Sequence, residues 1–397
     1  MLASVLGLGL LCLSFAFAGI LLADGNETVP AAAPTVSQSE PLPNITAPSA
    51  VLMEATSGQI LFEKDSHRKR PPASITKIMT MLLAMEALEQ GKIHLDDKVI
   101  ASDRASMQGG SQIWLEVGEE MSLNDLMKSI AVVSANDASV AVAEHIAGAE
   151  EVFVDMMNKR AKELGMQDTH FVNCTGLPAE GHLTSAYDVA VMSRELIKHP
   201  KVHEWFTIWI DYVRDGKNIL VNTNRLIKDY KGCDGLKTGY TEDAGYCLSA
   251  TAKRDNLRLI AVVMGLADSK VRFSETAKLL DYGFRFYAGV PMIQKDQVVA
   301  EIKVLRGKQE KVTVVSASEA SACVKRGREA DVKIETSIDE RVVAPVKKGQ
   351  KLGKMAAYLD GQEIASVDLV AKDDVERGSI FQILFRMIRD LIKAIFG

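Results

Sequence analysis

The spacing of apolar and polar residues changes four times along the chain and divides it into five segments. Residues 1–23 form an apolar run, and residues 24–48 are rich in Pro, Ala, Ser and Thr without any period. Helical and alternating spacings fill residues 49–290, short alternating stretches fill 291–375, and an amphipathic pattern fills 376–397. These patterns predict a signal peptide or N-terminal anchor, a flexible linker, a main domain, a small β domain and a terminal helix.

In the main segment, strand patterns at both ends enclose helical patterns. AVLMEATSGQILFEKD predicts two strands around a turn at 56–58, and GYCLSATA and RLIAVVMG predict two adjacent strands. Helices are predicted over 75–90, 123–133 and 138–147, with a closing helix in SETAKLLDYGFRFY. We therefore predict an α+β domain whose first and last strands share one antiparallel sheet flanked by helices.

A change of pattern at Gly289-Val-Pro291 separates this domain from the next segment. Residues 297–371 alternate over short stretches, with turn sequences at Lys348-Gly349 and Asp360-Gly361 and hardly any helical period. This pattern predicts a small all-β sandwich. Because it carries no cluster of catalytic side chains, we interpret it as a spacer or binding module.

The last segment, RGSIFQILFRMIRDLIKAIFG, predicts a basic amphipathic helix that is too often interrupted by charge to span a membrane. Such a helix lies at a membrane surface, with its cations against anionic lipid headgroups. A final core helix is the alternative. The predicted apolar face is Ile380, Leu384, Met387, Ile388, Leu391 and Ile395, and the cations are Arg386, Arg389 and Lys393.

Composition and charge narrow the functional classes. The chain of 397 residues is 47% apolar, enough for a sizeable core, and its net charge of -5 gives no sign of a nucleic-acid surface. Ala16-Phe-Ala18 fits a signal-peptidase site, although the apolar run is nearly long enough to remain as an anchor. Either alternative predicts an exported protein at the outer face of the cytoplasmic membrane or in the cell envelope.

The cysteines outside the apolar run show no metal-ligand spacing and no pattern of a disulfide scaffold. We expect neither a metal nor a cofactor, and we expect buried free thiols. A bridge between Cys174 and Cys233 after export remains an alternative; the other two cysteines are Cys247 and Cys323.

Ser74 and Lys77, in RPPASITKIMT, stand one helical turn apart where the first long apolar helix begins. A capping serine is usually followed three residues later by Glu or Gln, and a cation in the first turn opposes the helix dipole. Burial and a second nearby cation would favour a neutral Lys77. Taken alone, the motif leaves a helix cap and a nucleophile open; read with Asn136, Lys237 and the exported layout, it predicts that Ser74 is both and that Lys77 is its base. Ser66 and Lys69 have the same spacing, but no predicted helix begins there.

Two further motifs supply polar groups. Ser134-Ala-Asn136 lies between two predicted helices, so we expect a short loop in which the serine relays a proton and the amide holds a carbonyl. Lys237-Thr-Gly239 leads into the strand GYCLSATA, where lysine and threonine on an edge bind a carboxylate and glycine leaves room for a substrate backbone. Lys237 is also the second cation near Lys77.

In the order SxxK, SxN and KTG, the three motifs resemble those of the penicillin-interacting serine D,D-peptidases, most closely the low-molecular-mass D-alanyl-D-alanine carboxypeptidases. The likeness covers residues 49–287 in detail and includes the β domain and the amphipathic tail. It implies the fold shared by β-lactamases and D,D-peptidases, a bacterial cell-envelope location, and a peptidoglycan stem peptide ending in D-Ala-D-Ala as substrate. It also implies that β-lactam antibiotics bind.

The resemblance assigns roles to individual residues. Ser74 would attack the penultimate D-alanine carbonyl, Lys77 would take its proton, and Ser134 would pass a proton to the leaving amine. The backbone N–H groups of Ser74 and Tyr240 would hold the oxyanion, and some relatives carry His at the latter position. The substrate would be bound by Asn136 on its acyl side and by Lys237, Thr238, Gly239 and Arg272 towards its terminal carboxylate. Arg272 is alternatively a solvated arginine at a helix start.

The stretch DTHFVNCTGLPAEGHLTSAYD is similar to the loop beside the active site in this family. Asn173, Gly176 and Leu177 are expected to shape that loop, and His170 and His182 are expected to have no catalytic role.

Three other functions compete with this interpretation. A class A β-lactamase would need a Glu near an Asn in the same loop, and no Glu-x-x-x-Asn occurs there. A metallopeptidase would need His199 and His203 on one helix, which Pro200 interrupts. The third alternative is a membrane-bound wall-binding protein with a catalytically silent peptidase fold.

Overall fold

The computed structural model describes residues 41–396, apart from the side chains of residues 390, 391 and 393–396. The predicted signal peptide or anchor, and the linker as far as residue 40, lie outside the described residues. The end of the predicted linker is packed rather than free, because Ile45 and Ala47 are buried and the Thr46 N–H donates to Glu275. Packed structure therefore starts before residue 49.

The main domain is built on one five-stranded antiparallel sheet in the order β2-β1-β9-β8-β7, with two short hairpins outside it. Register along the first and last strands runs from Ser49 opposite Met264 to Glu54 opposite Leu259, so the prediction that these strands share a sheet is confirmed. The strands are β1 (Ser49–Glu54), β2 (Ile60–Lys64), β3 (Lys98–Ile100), β4 (Glu120–Ser122), β5 (Ile210–Val213), β6 (Asn218–Val221), β7 (Cys233–Thr241), β8 (Gly245–Arg254) and β9 (Leu257–Leu266).

Helices cover both faces of this sheet, and the α+β prediction is confirmed. On one face Leu52 and Val263 pack with the last helix of the domain, and on the other Val51 and Val262 pack with the remaining large helices. Because the strands are buried on both sides, their apolar runs are nearly continuous. The helices are α1 (Lys77–Glu89), α2 (Asp103–Ser106), α3 (Leu123–Val133), α4 (Asn136–Ala147), α5 (Glu150–Glu163), α6 (Ala186–Leu196), α7 (Lys201–Phe206), α8 (Leu226–Asp229) and α9 (Ser269–Phe286).

The central helix α1 determines where the site can form. Ten of its thirteen residues are buried, including Lys77, which is fully enclosed. The predicted helix over 75–90 does not begin as one regular helix, because a 3₁₀ turn (Ala73–Thr76) precedes α1. The nucleophile candidate Ser74 lies in that turn.

The second domain follows α9 without a break. The strand β10 runs through Gly289-Val-Pro291, where the sequence predicted a change, and Pro291 is tolerated because the strand has an irregular register beside it. The remaining strands form a six-stranded sheet in the order β14-β16-β17-β12-β11-β15, while β10 pairs with β13. The strands are β10 (Tyr287–Ile293), β11 (Val298–Leu305), β12 (Lys311–Ser316), β13 (Ala320–Lys325), β14 (Lys333–Ile338), β15 (Arg341–Val343), β16 (Lys351–Leu359) and β17 (Gln362–Ala371).

The two sheets of this domain share one core, in which Ile293 and Ala320 of the small sheet meet Val314 and Leu369 of the large one. The predicted sandwich is therefore confirmed.

The terminal helix α10 (Ile380–Phe396) exposes its apolar side chains. Ile380 is 81% exposed and Leu384 53% exposed, which excludes a core helix; Met387 and Ile388 are exposed as well. The predicted face also includes Leu391 and Ile395, whose side chains lie outside the described residues. In the part of the chain that the structure covers, we find no helix with the length and apolarity required to cross a membrane.

Two of the three predicted cations of α10 contact the β domain and not, as predicted, lipid headgroups. Arg386 donates to the carbonyl oxygens of Gly307 at 2.6 Å and Lys308 at 2.7 Å, and Arg389 binds Glu310 through two hydrogen bonds. These two arginines hold the helix against the β domain rather than extending towards lipid. The side chain of the third cation, Lys393, lies outside the described residues.

Candidate active site

Ser74 lies in the 3₁₀ turn before α1, half-buried, on a backbone that is locally strained. The preceding residue, Ala73, has a φ of +49°, a left-handed conformation that alanine adopts only where the surroundings impose it. Neither the turn nor α1 has a side-chain cap, so the prediction that Ser74 caps the helix is wrong. Its hydroxyl is instead engaged by Lys77.

The ammonium or amine nitrogen of Lys77 lies at the centre of the site. Its Nζ is 3.1 Å from Ser74 Oγ, 2.6 Å from Asn136 Oδ1 and 2.6 Å from the Thr175 carbonyl oxygen. The last two partners only accept hydrogen bonds. A neutral amine has two N–H donors for these partners, which leaves its lone pair for the Ser74 hydroxyl. This arrangement allows Lys77 to act as a base towards Ser74.

Burial favours the neutral form of the Lys77 amine. Complete enclosure lowers the pKa of Lys77 to about 7, although Cys174 and Asp137 act in the opposite direction. Lys237 was also expected to lower this pKa, but burial is the cause that lowers it. Burial, and then repulsion by Lys77, lower the pKa of Lys237 itself.

The SxN motif joins α3 to α4. Ser134 has a φ of +65° between the two helices, and its buried hydroxyl has no hydrogen-bond partner among the described residues. The predicted loop is only two residues long, because Asn136 is the first residue of α4. The Asn136 amide binds Lys77 through its oxygen and donates to the Gly109 carbonyl at 2.6 Å. Ser134 therefore offers an unused donor and acceptor inside the site.

Asp137 is a residue that the sequence analysis missed. Its buried carboxylate accepts the N–H groups of Ile113 and Leu115, each at 3.0 Å, and of Ala138 at 2.8 Å. These bonds attach the segment before β4 to the start of α4. A carboxylate directly after the SxN motif, at a helix N-terminus, was the available signal.

The KTG motif lies within the edge strand β7, whereas the sequence placed it just before the strand GYCLSATA, which belongs to β8. Lys237 is fully buried, with no hydrogen-bond partner for its Nζ in the described part of the chain, and Thr238 Oγ1 donates to Thr223 at 2.8 Å. A Cβ atom at Gly239 would lie 3.1 Å from the Pro72 carbonyl oxygen and 3.2 Å from Ala73 Cβ. The absence of a Cβ atom thus helps β7 to lie close to the Ser74 turn, and the room for a substrate backbone stays a prediction.

Tyr240 and Arg272 complete this edge. Tyr240 is half-exposed and stacks on Tyr246 with ring centroids 4.2 Å apart. Arg272 lies near the start of α9, donates to the Gly239 carbonyl at 3.3 Å and packs over the rings of Tyr246 and Phe273. Burial lowers its pKa. The structure therefore places Arg272 beside the KTG strand and not in solvent.

The loop from 173 to 177 closes the site opposite β7. Asn173 Oδ1 accepts from the Gly176 N–H at 2.7 Å, and its Nδ2 donates to the Leu177 carbonyl at 3.0 Å. This network aims the Thr175 carbonyl at Lys77. The three residues predicted to shape the loop do so.

Gly176 is under the most severe spatial constraint in this loop. It has a φ of +85°, and a Cβ there would lie 1.8 Å from the Ala73 carbonyl oxygen. We expect Gly176→Ala to destabilise the protein by about 2–4 kcal/mol, because the Ser74 turn must move. Gly181→Ala is the matched control, since its φ of +78° is similar while the nearest atom would be 4.0 Å away. Equal losses of thermal stability in the two variants would contradict this explanation.

The histidines have structural partners. His182 is buried, lies 2.9 Å from Thr76 Oγ1 and accepts from the Val172 N–H, and burial lowers its pKa to about 4. His199 binds Glu89 at 2.7 Å, whereas His203 lies 3.3 Å from Asp234. The described residues contain no group of three potential metal ligands. These three imidazoles are therefore accounted for by their protein contacts.

The four cysteines of the described region, among them Cys174 and Cys233, are free and buried. The predicted thiols are thus confirmed, and the alternative bridge does not form in this structure.

Sequence comparisons agree with this arrangement. Residues 34–268 match the family described as D-alanyl-D-alanine carboxypeptidase, and residues 287–377 match the penicillin-binding protein 5 C-terminal domain. The chain is 44% identical to the D-alanyl-D-alanine carboxypeptidase DacF of Bacillus subtilis, over 98% of each chain. It is 34% identical to DacC of Escherichia coli, over 91% of this chain and 92% of that relative.

The fold is also similar to the solved structures of two penicillin-binding proteins. Penicillin-binding protein 5 of Haemophilus influenzae is 34% identical, with a TM-score of 0.67 over 85% of this chain and 100% of that one. Penicillin-binding protein 3 of Streptococcus pneumoniae, described as a peptidoglycan synthesis regulatory factor, gives a TM-score of 0.66 at 31% identity, over 84% of this chain and 100% of that one.

Proposed function

The chain belongs to the D-alanyl-D-alanine carboxypeptidase family of serine-type hydrolases, and we propose that it removes the terminal D-alanine of peptidoglycan stem pentapeptides through an acyl-enzyme on Ser74. The observation that carries this proposal is the 3.1 Å contact between Lys77 Nζ and Ser74 Oγ. Lys77 is buried, its other two bonds go to acceptors, and its pKa is about 7. A lysine in this state is a competent base at neutral pH.

In the acylation step, Lys77 takes the Ser74 proton while Oγ attacks the penultimate D-alanine carbonyl carbon. The backbone N–H groups of Ser74 and Tyr240 bind the oxyanion as it forms. The free hydroxyl of Ser134 donates its proton to the leaving amine and regains one from Lys77 as the C–N bond breaks, so that both side chains return to their starting protonation states. Asn136 orients the acyl side of the substrate.

The terminal carboxylate has a site of matching charge. Lys237, Thr238 and Arg272 meet at the edge strand, where Gly239 brings them close to the Ser74 turn. The Lys237 Nζ and the Arg272 Nε are buried without a hydrogen-bond partner in the described residues, as expected of donors whose partner is an anionic substrate. Water then hydrolyses the acyl-enzyme. β-Lactams would acylate the same serine, since they present a strained amide beside a carboxylate.

D-Alanine release tests this function directly. The full chain, incubated with a pentapeptide ending in D-Ala-D-Ala, should release one D-alanine per peptide, and a matched peptide ending in D-Ala-L-Ala should be inert. A protein that binds the pentapeptide without releasing D-alanine would instead be the silent wall-binding module.

We further propose that the protein is exported and that α10 associates with the membrane surface. The exposed apolar side chains of α10 include Phe381 at 84% and Phe385 at 71% exposure, and burying such rings is worth about 1.5–3 kcal/mol each. The arginine contacts with the β domain then fix the orientation of the helix.

Replacing both rings tests the membrane proposal. The double variant Phe381→Ser with Phe385→Ser should lose at least about tenfold in binding to anionic phospholipid vesicles, measured by sedimentation. Val298→Ser, which removes a similarly exposed apolar side chain from β11, should bind like the wild type. Equal losses in the two proteins would contradict the proposed role of α10.

A further inference from the structure

A cavity opens beside the KTG strand, on the side where the leaving residue is expected. Its volume is about 630 Å³, within the range of about 300–1,000 Å³ typical of small-molecule sites. Two of its residues connect it to the KTG motif, since Thr223 accepts from Thr238 and Arg272 donates to the Gly239 carbonyl. The cavity therefore borders the proposed carboxylate site, and Arg272 belongs to both.

The cavity is predominantly cationic. Arg225, Lys228 and Arg272 line it, against a single carboxylate at Asp229. Among the described residues, Arg225 has no ion-pair partner, and Lys228 lies 5.6 Å from the Trp209 ring centroid without an acidic partner. Arg225 is also close enough to lower the pKa of Arg272, in addition to the larger effect of burial. Three cations against one carboxylate leave an excess of positive charge, which favours an anionic ligand.

The carboxylate of a D-alanine leaving group does not explain the whole cavity. In the proposed function that carboxylate binds Lys237, Thr238 and Arg272, and a methyl group is the only remaining side chain. Trp209, Val221 and Phe273 provide apolar walls, and Arg225 and Lys228 are exposed at the site. A D-alanine leaving group would therefore leave most of the cavity empty and would not contact Arg225 or Lys228.

We propose that the leaving-residue site accepts D-amino acids with extended anionic side chains, whose second carboxylate is bound by Arg225 and Lys228. This inference rests on the proposed function, because it uses the same acyl transfer. The bond from Ser74 Oγ to the penultimate carbonyl carbon forms, the C–N bond to the leaving residue breaks, and the serine proton finally resides on the leaving amine. Water then adds to the ester and regenerates the serine hydroxyl. The two cations thus predict a preference for an anionic side chain on the leaving residue.

Four peptides that differ only in the last residue test the inference. They end in D-Ala-D-Ala, D-Ala-D-Glu, D-Ala-D-Lys and D-Ala-D-Leu, and the rate of release of the last residue is measured with the full chain. We expect D-glutamate to be released about tenfold faster than D-lysine, because two exposed cations each contribute a factor of a few. D-Leucine should fall between them.

Charge reversal identifies the residues responsible. In the double variant Arg225→Glu with Lys228→Glu, the D-glutamate to D-lysine ratio should invert, whereas the nearby Lys231→Glu should retain the wild-type ratio. Lys231 is exposed but does not line the cavity. Because both rates come from one preparation, partial unfolding does not alter the ratio. If the double variant is inactive, the single variant Arg225→Gln is measured in its place, and its ratio should fall towards one.

The outcomes separate this inference from the proposed function. Release of D-alanine with equal release of D-glutamate and D-lysine, or a ratio unchanged by the charge reversal, would overturn the inference and leave the carboxypeptidase intact. Failure to release any residue, including D-alanine, would overturn both.

Discussion

Ser74→Ala is expected to reduce D-alanine release by at least about 10⁴-fold, since removal of a nucleophile leaves only substrate binding and the oxyanion donors. The alanine should be tolerated structurally. Ser74 caps no helix, and the turn is held instead by the Thr76 hydroxyl, which donates to the Ala73 carbonyl at 2.9 Å. The rate of release and the thermal midpoint of unfolding, measured on one preparation, distinguish a lost nucleophile from a lost fold.

Ser66→Ala is the matched control for this experiment. Ser66 stands three residues before Lys69, which repeats the motif spacing, but its hydroxyl donates to Glu63 at 2.7 Å and lies outside the site. D-Alanine release by Ser66→Ala should equal that of the wild type. Substantial release by Ser74→Ala would exclude the acyl-enzyme mechanism.

Lys77→Arg is expected to reduce acylation by about 10²–10⁴-fold, because a guanidinium remains protonated and cannot take the serine proton. In the wild type, burial lowers the pKa of Lys77 to about 7, and only the neutral amine is a base. The value of kcat/KM should therefore rise with pH between about pH 6 and pH 8, with a midpoint near the lysine pKa. A pH series of D-alanine release measures this limb.

A second lysine provides the control for Lys77. Lys64 also donates to a backbone carbonyl, that of Ile45 at 2.7 Å, but it lies on β2 away from the site. Lys64→Arg should retain both the rate and the pH limb. A wild-type rate that is independent of pH over this range would show that the base is not Lys77.

Much of the fold could be predicted because long apolar patterns dominate it. The sheet strands are buried on both faces, so that β8 and β9 appear as continuous apolar runs. The helices between the two halves were harder to predict. α5 buries little more than Phe153, Met157 and Ala161 among charged residues. The hairpin of β5 and β6 buries one apolar side chain in each strand but exposes others, such as Ile210 and Ile219. Neither segment has the pattern of a typical core element.

The candidate site was predictable at the level of residue types and not at the level of contacts. Ser74, Lys77, Asn136 and the KTG strand come together as their motifs suggested. The contact of Lys77 with the Thr175 carbonyl joins residues 98 positions apart, and no local pattern encodes such a contact. Asp137 had a local signal in its place at a helix N-terminus, but its partners Ile113 and Leu115 lie 24 and 22 positions away.

The terminal helix shows how a correct pattern can receive a wrong explanation. The amphipathic period predicted α10, but the period cannot tell whether an arginine faces lipid or protein. Arg386 and Arg389 contact the β domain, and this leaves the apolar face as the basis for the proposed membrane contact.

The central claim is that Ser74 becomes acylated, and mapping a covalent adduct tests it most directly. The full chain is incubated with a labelled penicillin, digested, and the modified residue is identified by mass spectrometry. We predict one adduct per chain, on the peptide that contains Ser74 and at that hydroxyl. An adduct on any other residue, or no adduct at saturating penicillin, would contradict the account.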